Sequence, residues 1–245
     1  MTASTATISS IDHRDPATWT DAVFLSFDID WAHDDVLRYC IDQVQQADVA
    51  ATWFVTHDTP VLEELRANPK FELGIHPNFN FLLAGDDRNG RNAEEVIDRV
   101  MEIVPEAKSV RSHSITTSQR IIELFAARGL THESNHYIPS NSRMDLKPWD
   151  SGKGLTVVPV VWTDATASIE SNLDSLAPLA RQTGLSVFNF HPIHVFLNTE
   201  DMDRYESCRE DHYAPDRLIN HRSQHPSGSG SMLGGLLEIC RQDVG

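Results

Sequence analysis

An α/β fold, a barrel of about seven parallel strands, is what this sequence predicts, and three observations carry the prediction. Short and nearly continuous apolar runs, as at residues 22–27 and 185–190, alternate with stretches such as 36–44 whose apolar residues recur at helical spacing. Strands covered by helices on the outside read this way, because a parallel sheet has no solvated face. Four of the runs end in a polar cluster: Ser26-Phe27-Asp28-Ile29-Asp30, Gly74-Ile75-His76-Pro77-Asn78-Phe79-Asn80, Arg111-Ser112-His113-Ser114 and Phe190-His191-Pro192-Ile193-His194. Loops beyond the strand ends of such folds converge on one face, so the clusters are expected to meet in one site. Finally, 245 residues with 40% hydrophobic content suffice for one domain of this kind.

Along the chain, residues 1–21 are rich in Thr, Ser, Ala and Asp without apolar period and are expected to form a loose leader, with a single domain over 22–245. β-branched and aromatic content predicts strands over 22–27, 49–55, 71–75, 109–111, 130–133, 155–161 and 185–190. Helical periodicity predicts helices over 36–44, 61–65, 93–104, 117–127, 173–181 and 232–240. Two polar segments, 82–92 and 198–231, interrupt the alternation directly after site-bearing clusters, a position that suits substrate-covering loops.

The balance of 20 Lys+Arg against 36 Asp+Glu gives a net charge of −16, which repels nucleic-acid phosphates and anionic membrane surfaces. No nucleic-acid partner is expected. Neither a signal-type opening nor an apolar run long enough to span a bilayer is present, so no membrane span and a cytoplasmic location are expected. Cys40, Cys208 and Cys240 form no CxxC pair and are expected to be small buried residues rather than disulfides or a thiolate zinc site.

Asp28 and Asp30 stand two apart at a strand end, where extended backbone would put both on one face. Such a pair can divide labour, one holding a cation and one taking a proton from water; the same residues also fit a helix N-cap and a solvated pair. His76 leaves its strand between Gly74 and Pro77, which fixes the exit of the backbone, and His191 before Pro192 repeats that grammar. Arg111 beside a carboxylate would lower its pKa and orient it.

In order, the Asp-x-Asp strand end, Ala51-Thr52-Trp53-Phe54-Val55, Gly-x-His, Arg111, Glu133-Ser134-Asn135 and the strand ending in His191-Pro192 resemble the polysaccharide deacetylase family, the NodB-homology or carbohydrate esterase family 4 domain. Phe27–Ala32, His76–Asn80, Val110–Ser114 and His191–Asn198 resemble its WbmS-like subgroup, associated with surface-polysaccharide gene clusters. The resemblance runs from about Ala22 to Cys240 and implies a distorted (β/α) barrel of about seven strands and a divalent-metal hydrolase, zinc foremost, that removes acetyl from N-acetyl sugars. It implies Asp28 as general base, Asp30 and His76 as metal ligands, Arg111 as the partner of the base, His191 as general acid, and the segment around Glu133 as a wall of the groove.

Two positions depart from the family pattern. The second metal histidine is replaced by Asn80, and His113 stands where a proline follows the arginine. An amide oxygen is a poor zinc ligand, so His113 is expected as the third protein ligand, with Asn80 beside it. Asn80, Trp31, Trp162 and His194 are expected to contact substrate. The expected substrate is an acetylated amino sugar on a nucleotide or lipid carrier. Two rival readings remain open: a metal-free hydrolase of a small cyclic amide on the same barrel, and an inactive sugar-binding protein using Trp31, Trp53, Trp149 and Trp162 as stacking surfaces. An acid-base pair retained beside Arg111 speaks against the last, since binding alone needs none.

Overall fold

The computed structural model describes residues 4–166 and 175–241. Its centre is a curled sheet, and all seven expected strands are in it: β2 (Ala22–Asp28), β3 (Ala51–Val55), β4 (Phe71–Ile75), β5 (Ser109–Val110), β6 (His132–Glu133), β8 (Thr156–Val157) and β10 (Ser186–Phe190). Three short strands that sequence did not predict add to them, β1 (Ser4–Thr5), β7 (Trp149–Asp150) and β9 (Trp162–Thr163). Neighbours along the sheet run β7-β8-β6-β5-β4-β3-β2-β10-β9, with β1 on β2, and every pairing is parallel except β7 on β8. Every residue of β2, β3 and β10 is buried, which is why these segments are apolar on both faces.

Helices α1 (Asp34–Gln46), α2 (Val61–Ala67), α4 (Ala93–Met101) and α5 (Gln119–Ala127) follow β2 to β5 in alternation; the single turn α3 (Asn80–Leu83) lies between β4 and α4. The apolar stripe of α1, Val36, Leu37, Cys40, Ile41 and Val44, is buried, and the chain enters the helix through His33, whose ring accepts from Asp35 N at 3.2 Å. Asn92 and Ser118 cap α4 and α5 through bonds from Glu95 N (2.9 Å) and Ile121 N (3.3 Å). The helix expected over 173–181 lies partly outside the described residues; what is described of it is the turn α6 (Ala177–Ala180). Helices α7 (Pro192–Leu197), α8 (Met202–Ser207), α9 (Pro215–Leu218) and α10 (Ser229–Arg241) complete the chain.

The opening segment corrects the expectation of a loose leader. β1 pairs with β2 in the register Ser4↔Ala22, and Ile8, Ile11 and Trp19 are all buried. Ile8 N donates to Thr52 Oγ1 (3.0 Å), Ser9 N to Glu72 Oε2 (3.0 Å), and the carbonyl of Ile11 accepts from His132 Nε2 (2.7 Å). Residues 8–11 thus run beneath the N-terminal ends of β3, β4 and β6, at the opposite end of the sheet from the polar clusters. Cys40 and Cys208 are buried and Cys240 half-buried, all as free thiols.

Candidate active site

The C-terminal strand ends bring Asp28, Asp30, His76, Arg111, His113, His191 and His194 to one cavity of about 320 Å³. Arg111, at the end of β5, is the scaffold of one side. It is 1% exposed, and its guanidinium donates from Nη1 to Asp28 Oδ1 (2.9 Å), Ser26 Oγ (3.0 Å) and Asn189 Oδ1 (2.5 Å). Nε and Nη2 donate to the Ser134 carbonyl (3.1 Å) and hydroxyl (2.9 Å). Its face lies 4.4 Å from the ring of Phe54. That ring explains Gly74, its strand neighbour: a Cβ there would stand 2.7 Å from Phe54 and 2.6 Å from Ser109 Oγ.

Asp28 accepts on both oxygens, from Arg111 on Oδ1 and from Asn189 Nδ2 on Oδ2 (2.8 Å). Burial works to raise its pKa, but Arg111, then His76 and His191, outweigh burial and hold the carboxyl below its ordinary range. Asn189 was missed by the sequence reading, and Ser26 stood in a polar cluster without a role. The signal for Asn189 was an amide inside Val187-Phe188-Asn189-Phe190, a buried strand that has no other use for one. The Glu133-Ser134-Asn135 segment does not wall the cavity. Instead Glu133, fully buried, accepts from Asn135 Nδ2 (2.8 Å), and Asn135 Oδ1 accepts from Ser112 N (2.7 Å), so the segment supports the turn that carries Arg111 and His113.

Asp30 reaches the site by a route other than strand alternation. β2 ends at Asp28, and Asp30 (φ 37°) and Trp31 (φ 56°) are both left-handed, a conformation that costs L-residues about 1–2 kcal/mol each. The turn swings Asp30 Oδ1 to 3.2 Å from His76 Nε2 and 3.1 Å from His113 Nδ1. Asp30, His76 and His113 each offer one ligand atom within 4.8 Å of the others. His113 begins a 3-10 turn, His113–Ile115, in which Ser114 and Ile115 are again left-handed. Asp30 is held well below the usual carboxylate range: burial opposes the shift, and the neighbouring imidazoles of His113 and His76 override it.

His76 is 2% exposed; its Nε2 lies 3.2 Å from Asp30 Oδ1 outside good hydrogen-bond geometry, and its Nδ1 lies 3.8 Å from Asp28 Oδ1, too far for a bond. An unsatisfied buried polar group costs about 1–3 kcal/mol. Two imidazoles and a carboxylate are also a donor set that suits a zinc-type ion, so these residues fit a divalent cation.

His191 caps α7 at the end of β10. Its backbone N–H and Nδ1 both donate to Asp164, at 2.9 and 2.6 Å, which leaves Nε2 facing the cavity, 3.7 Å from Asp28 Oδ2 and 3.6 Å from Asp30 Oδ2. Burial works against its charge, but Asp164, then Asp30 and Asp28, raise its pKa to about 10. Asp164, 1% exposed in the turn after β9, is the positioning carboxylate that sequence alone did not assign. His194 lines the cavity, donates or accepts at Thr199 Oγ1 (3.2 Å), and is pushed down to about 4 by burial.

Three expected substrate contacts lie elsewhere. Trp162 is buried in the core 5.0 Å from Phe190, because strand alternation turns Thr163 rather than Trp162 to the cavity. Asn80 is exposed outside the cavity, donating to Ser114 Oγ (3.0 Å). Trp31 sets its edge against His113 at 5.3 Å rather than facing the main cavity. Trp53 stacks on Phe27 at 4.2 Å in the core, which with Trp162 removes two of the four supposed stacking platforms. Of the two long segments, 198–231 reaches the mouth, placing Met202 and Tyr205 of α8 in the cavity wall; no residue of 82–92 lines that cavity. Asn198 (φ 53°) clasps the segment at its base, donating to the carbonyls of Ser223 (3.1 Å) and His225 (2.9 Å) and accepting from Ser231 N (2.8 Å). A side chain on Gly228 would collide with Asn198.

A parallel sheet with carboxylates, imidazoles and a buried arginine at its strand ends suits a hydrolase, and comparison with known proteins narrows the class. The model of the WbmS-like polysaccharide deacetylase family matches residues 25–209, and the chain belongs to that family of carbon–nitrogen hydrolases. A crystal structure from Bordetella bronchiseptica, described as a WbmS polysaccharide deacetylase involved in O-antigen biosynthesis, shares 43% identity and a TM-score of 0.90 over 96% of this chain and 97% of that one. A second, described as a polysaccharide deacetylase from Mycobacterium smegmatis, shares the fold at 15% identity and TM-score 0.51, over 99% and 90% of the two chains. A comparison with curated proteins finds no match.

Proposed function

We propose that this protein is a metal-dependent N-deacetylase of an amino sugar in the biosynthesis of a surface polysaccharide of O-antigen type. The observation that carries the metal is the Asp30–His76–His113 cluster, whose buried His76 nitrogens make no hydrogen bond of good geometry to the protein. When bound there, a zinc-type cation supplies a Lewis acid for the acetyl carbonyl and brings the pKa of water from about 15.7 toward 7.

The chain's own groups do the rest. Asp28, kept anionic by Arg111, is too weak a base for ordinary water and suits a water of raised acidity, whose proton it accepts. Asn189 and Arg111 hold its two oxygens, so the orientation of the carboxylate is fixed before substrate arrives. His191, cationic at neutral pH and fixed by Asp164 through Nδ1, donates from Nε2 to the departing nitrogen. The raised pKa keeps the ring charged at neutral pH, so the proton is in place before the nitrogen departs.

No described helix is long and apolar enough to cross a membrane. A sugar on a nucleotide or lipid carrier facing the cytoplasm remains the substrate class this reading favours, and the kinship with the Bordetella protein supports a role in O-antigen assembly. The test is acetate release from a panel of N-acetyl sugars by protein purified without chelator, with elemental analysis alongside. Loss of release on chelation and its return with zinc are expected. Full acetate release by metal-free protein would overturn the metal requirement, whereas release from none of the sugars together with metal-free ring opening of a small cyclic amide would favour that reading instead.

A further inference from the structure

The cavity has two unlike parts. One is the group of carboxylates and imidazoles gathered about Arg111. The other is built by the loops that follow β5, β6, β8 and β9 and by α8, which set Ile115, Tyr137, Val160, Ala165, Met202 and Tyr205 in the wall. Val160 is buried, and Ile115 is 44% exposed, an apolar side chain left in water at the lip. Polar groups in this part are largely engaged: Ser114 Oγ accepts from Asn80 Nδ2 (3.0 Å) and Thr163 Oγ1 from Ala165 N (3.4 Å). Arg111 is the one Lys or Arg among the described residues that line the cavity, and its guanidinium is taken up by Asp28, Ser26, Asn189 and Ser134.

A volume of about 320 Å³ stands at the small end of ligand pockets, which run from about 300 to 1,000 Å³, and suits one sugar ring with its amide. In a pyranose, C5 lies across the ring from C2. With an amide on C2 held at the carboxylates and imidazoles, the edge that reaches the apolar wall is therefore C5 with C6 upon it. A hydroxyl brought there loses water without gaining a partner, whereas a methyl gains by leaving water. A carboxylate there would lose more, with no free cation to meet it. The rings of Tyr137 and Tyr205 offer apolar faces that end in a hydroxyl, and His194 adds an imidazole, so one or two other hydroxyls of the ring can still be met.

Resting on the N-deacetylase reading above, we infer that the cavity receives a single uncharged deoxy sugar, an N-acetylated 6-deoxyhexosamine, and that the apolar wall selects it over its 6-hydroxyl and 6-carboxylate counterparts.

The test is kcat/KM for acetate release by the zinc-loaded protein from methyl glycosides of N-acetylglucosamine, its 6-deoxy form and its 6-carboxylate, and from the same three in the galactose series. NMR titration of the 6-deoxy and 6-hydroxyl forms gives a readout independent of turnover. In the series that is turned over, the 6-deoxy sugar is expected to exceed the 6-hydroxyl form by about fivefold or more in kcat/KM and in affinity, the lower end of what an unpaired buried hydroxyl costs. The carboxylate should fall at least about tenfold below the hydroxyl form in kcat/KM, since an unpaired charge costs more than a hydroxyl. Met202→Gln and Val160→Thr each place a polar group in the wall with little change of size, and in at least one of them the 6-deoxy advantage should shrink to about twofold or less. Met202 is half-buried on α8, so its variant remains informative if Val160→Thr does not fold. A 6-hydroxyl form that matches or exceeds the 6-deoxy sugar, a carboxylate turned over as well as the hydroxyl form, or an advantage unchanged by the wall variants overturns the inference and leaves the hydrolase reading standing. Acetate release from none of these sugars, with zinc bound, overturns both.

Discussion

Asp28 and Asp30 are two residues apart, yet the protein alone completes the surroundings of the first and leaves those of the second open. Around Asp28, Arg111, Ser26, Asn189 and Ser134 satisfy one another, and both carboxylate oxygens accept a neutral or charged donor. Around Asp30 the backbone is left-handed and the His76 nitrogens make no hydrogen bond of good geometry. On the proposed reading, the difference separates a rigid base held ready by protein groups from a ligand set that a cation would complete. Substitutions on the two sides should therefore fail in different ways.

The largest effects should divide along that line. Asp28→Asn is expected to lower hydrolysis by about 10²- to 10⁴-fold, the usual contribution of a general base, with zinc content unchanged. His76→Ala should lose the zinc along with the activity. Elemental analysis of the two purified variants distinguishes them, and loss of zinc in Asp28→Asn would move Asp28 into the ligand set. His191→Ala should resemble Asp28→Asn, keeping zinc without turnover.

Removing the arginine attacks stability instead. Arg111→Met leaves the buried Asp28 carboxylate without its charged partner, and breaking a buried pair from one side costs about 3–5 kcal/mol. Urea denaturation of the metal-free proteins measures this directly. A cost below about 1 kcal/mol, the range of exposed pairs, would mean that Asp28 is not desolvated as described.

His194 gives a smaller and pH-dependent effect. Its pKa falls from 6.5 unfolded to about 4 folded, so as pH drops below 6.5 the unfolded chain takes up a proton that the native state refuses. Native stability is thereby lost between pH 6.5 and 4, by about 2 kcal/mol at pH 5. The lowered pKa values of Asp28 and Asp30 act below this window, where their contribution is lost as pH falls through their folded values. His194→Gln should flatten the pH 7-to-5 difference in urea midpoint relative to the parent; an unchanged slope would place the proton uptake elsewhere.

The fold was largely legible because buried parallel strands leave continuous apolar runs, and each of the seven runs became a strand. What escaped had no period to betray it. β1, β7 and β9 are two residues each, and the opening segment docks through Ile8, Ile11 and Trp19, three isolated apolar residues in a polar stretch. In the site, residues at strand ends were readable, since a polar side chain closing an apolar run is conspicuous. Asp30 was found by an argument from extended backbone that its left-handed turn does not obey. Tyr205 and Met202 line the cavity from α8, where the 198–231 segment could be assigned to the mouth by position but its contacting side chains could not. Trp162 was misplaced because a one-residue shift in strand phase exchanges cavity for core.

The smallest expected effect is the most discriminating for the ligand side. Asn80 and His113 both depart from the family pattern, and the turn that carries His113 also carries Ser114, to which Asn80 is bonded. His113 Nδ1 lies 3.1 Å from Asp30 Oδ1 and belongs to the three-residue cluster; Asn80 is exposed and outside it. His113→Ala should therefore abolish stoichiometric zinc binding. Asn80→Ala removes a bond that steadies the turn behind the ligand, and losses of that kind cost at most about 10- to 100-fold in metal affinity. Because this bond is exposed, the lower end is expected, with zinc stoichiometry retained at saturating metal. Competition against a chelating dye gives both affinities in one titration. Zinc lost in Asn80→Ala and kept in His113→Ala would reverse the assignment, and the turn at Ser114 would then have to move to bring the amide to Asp30.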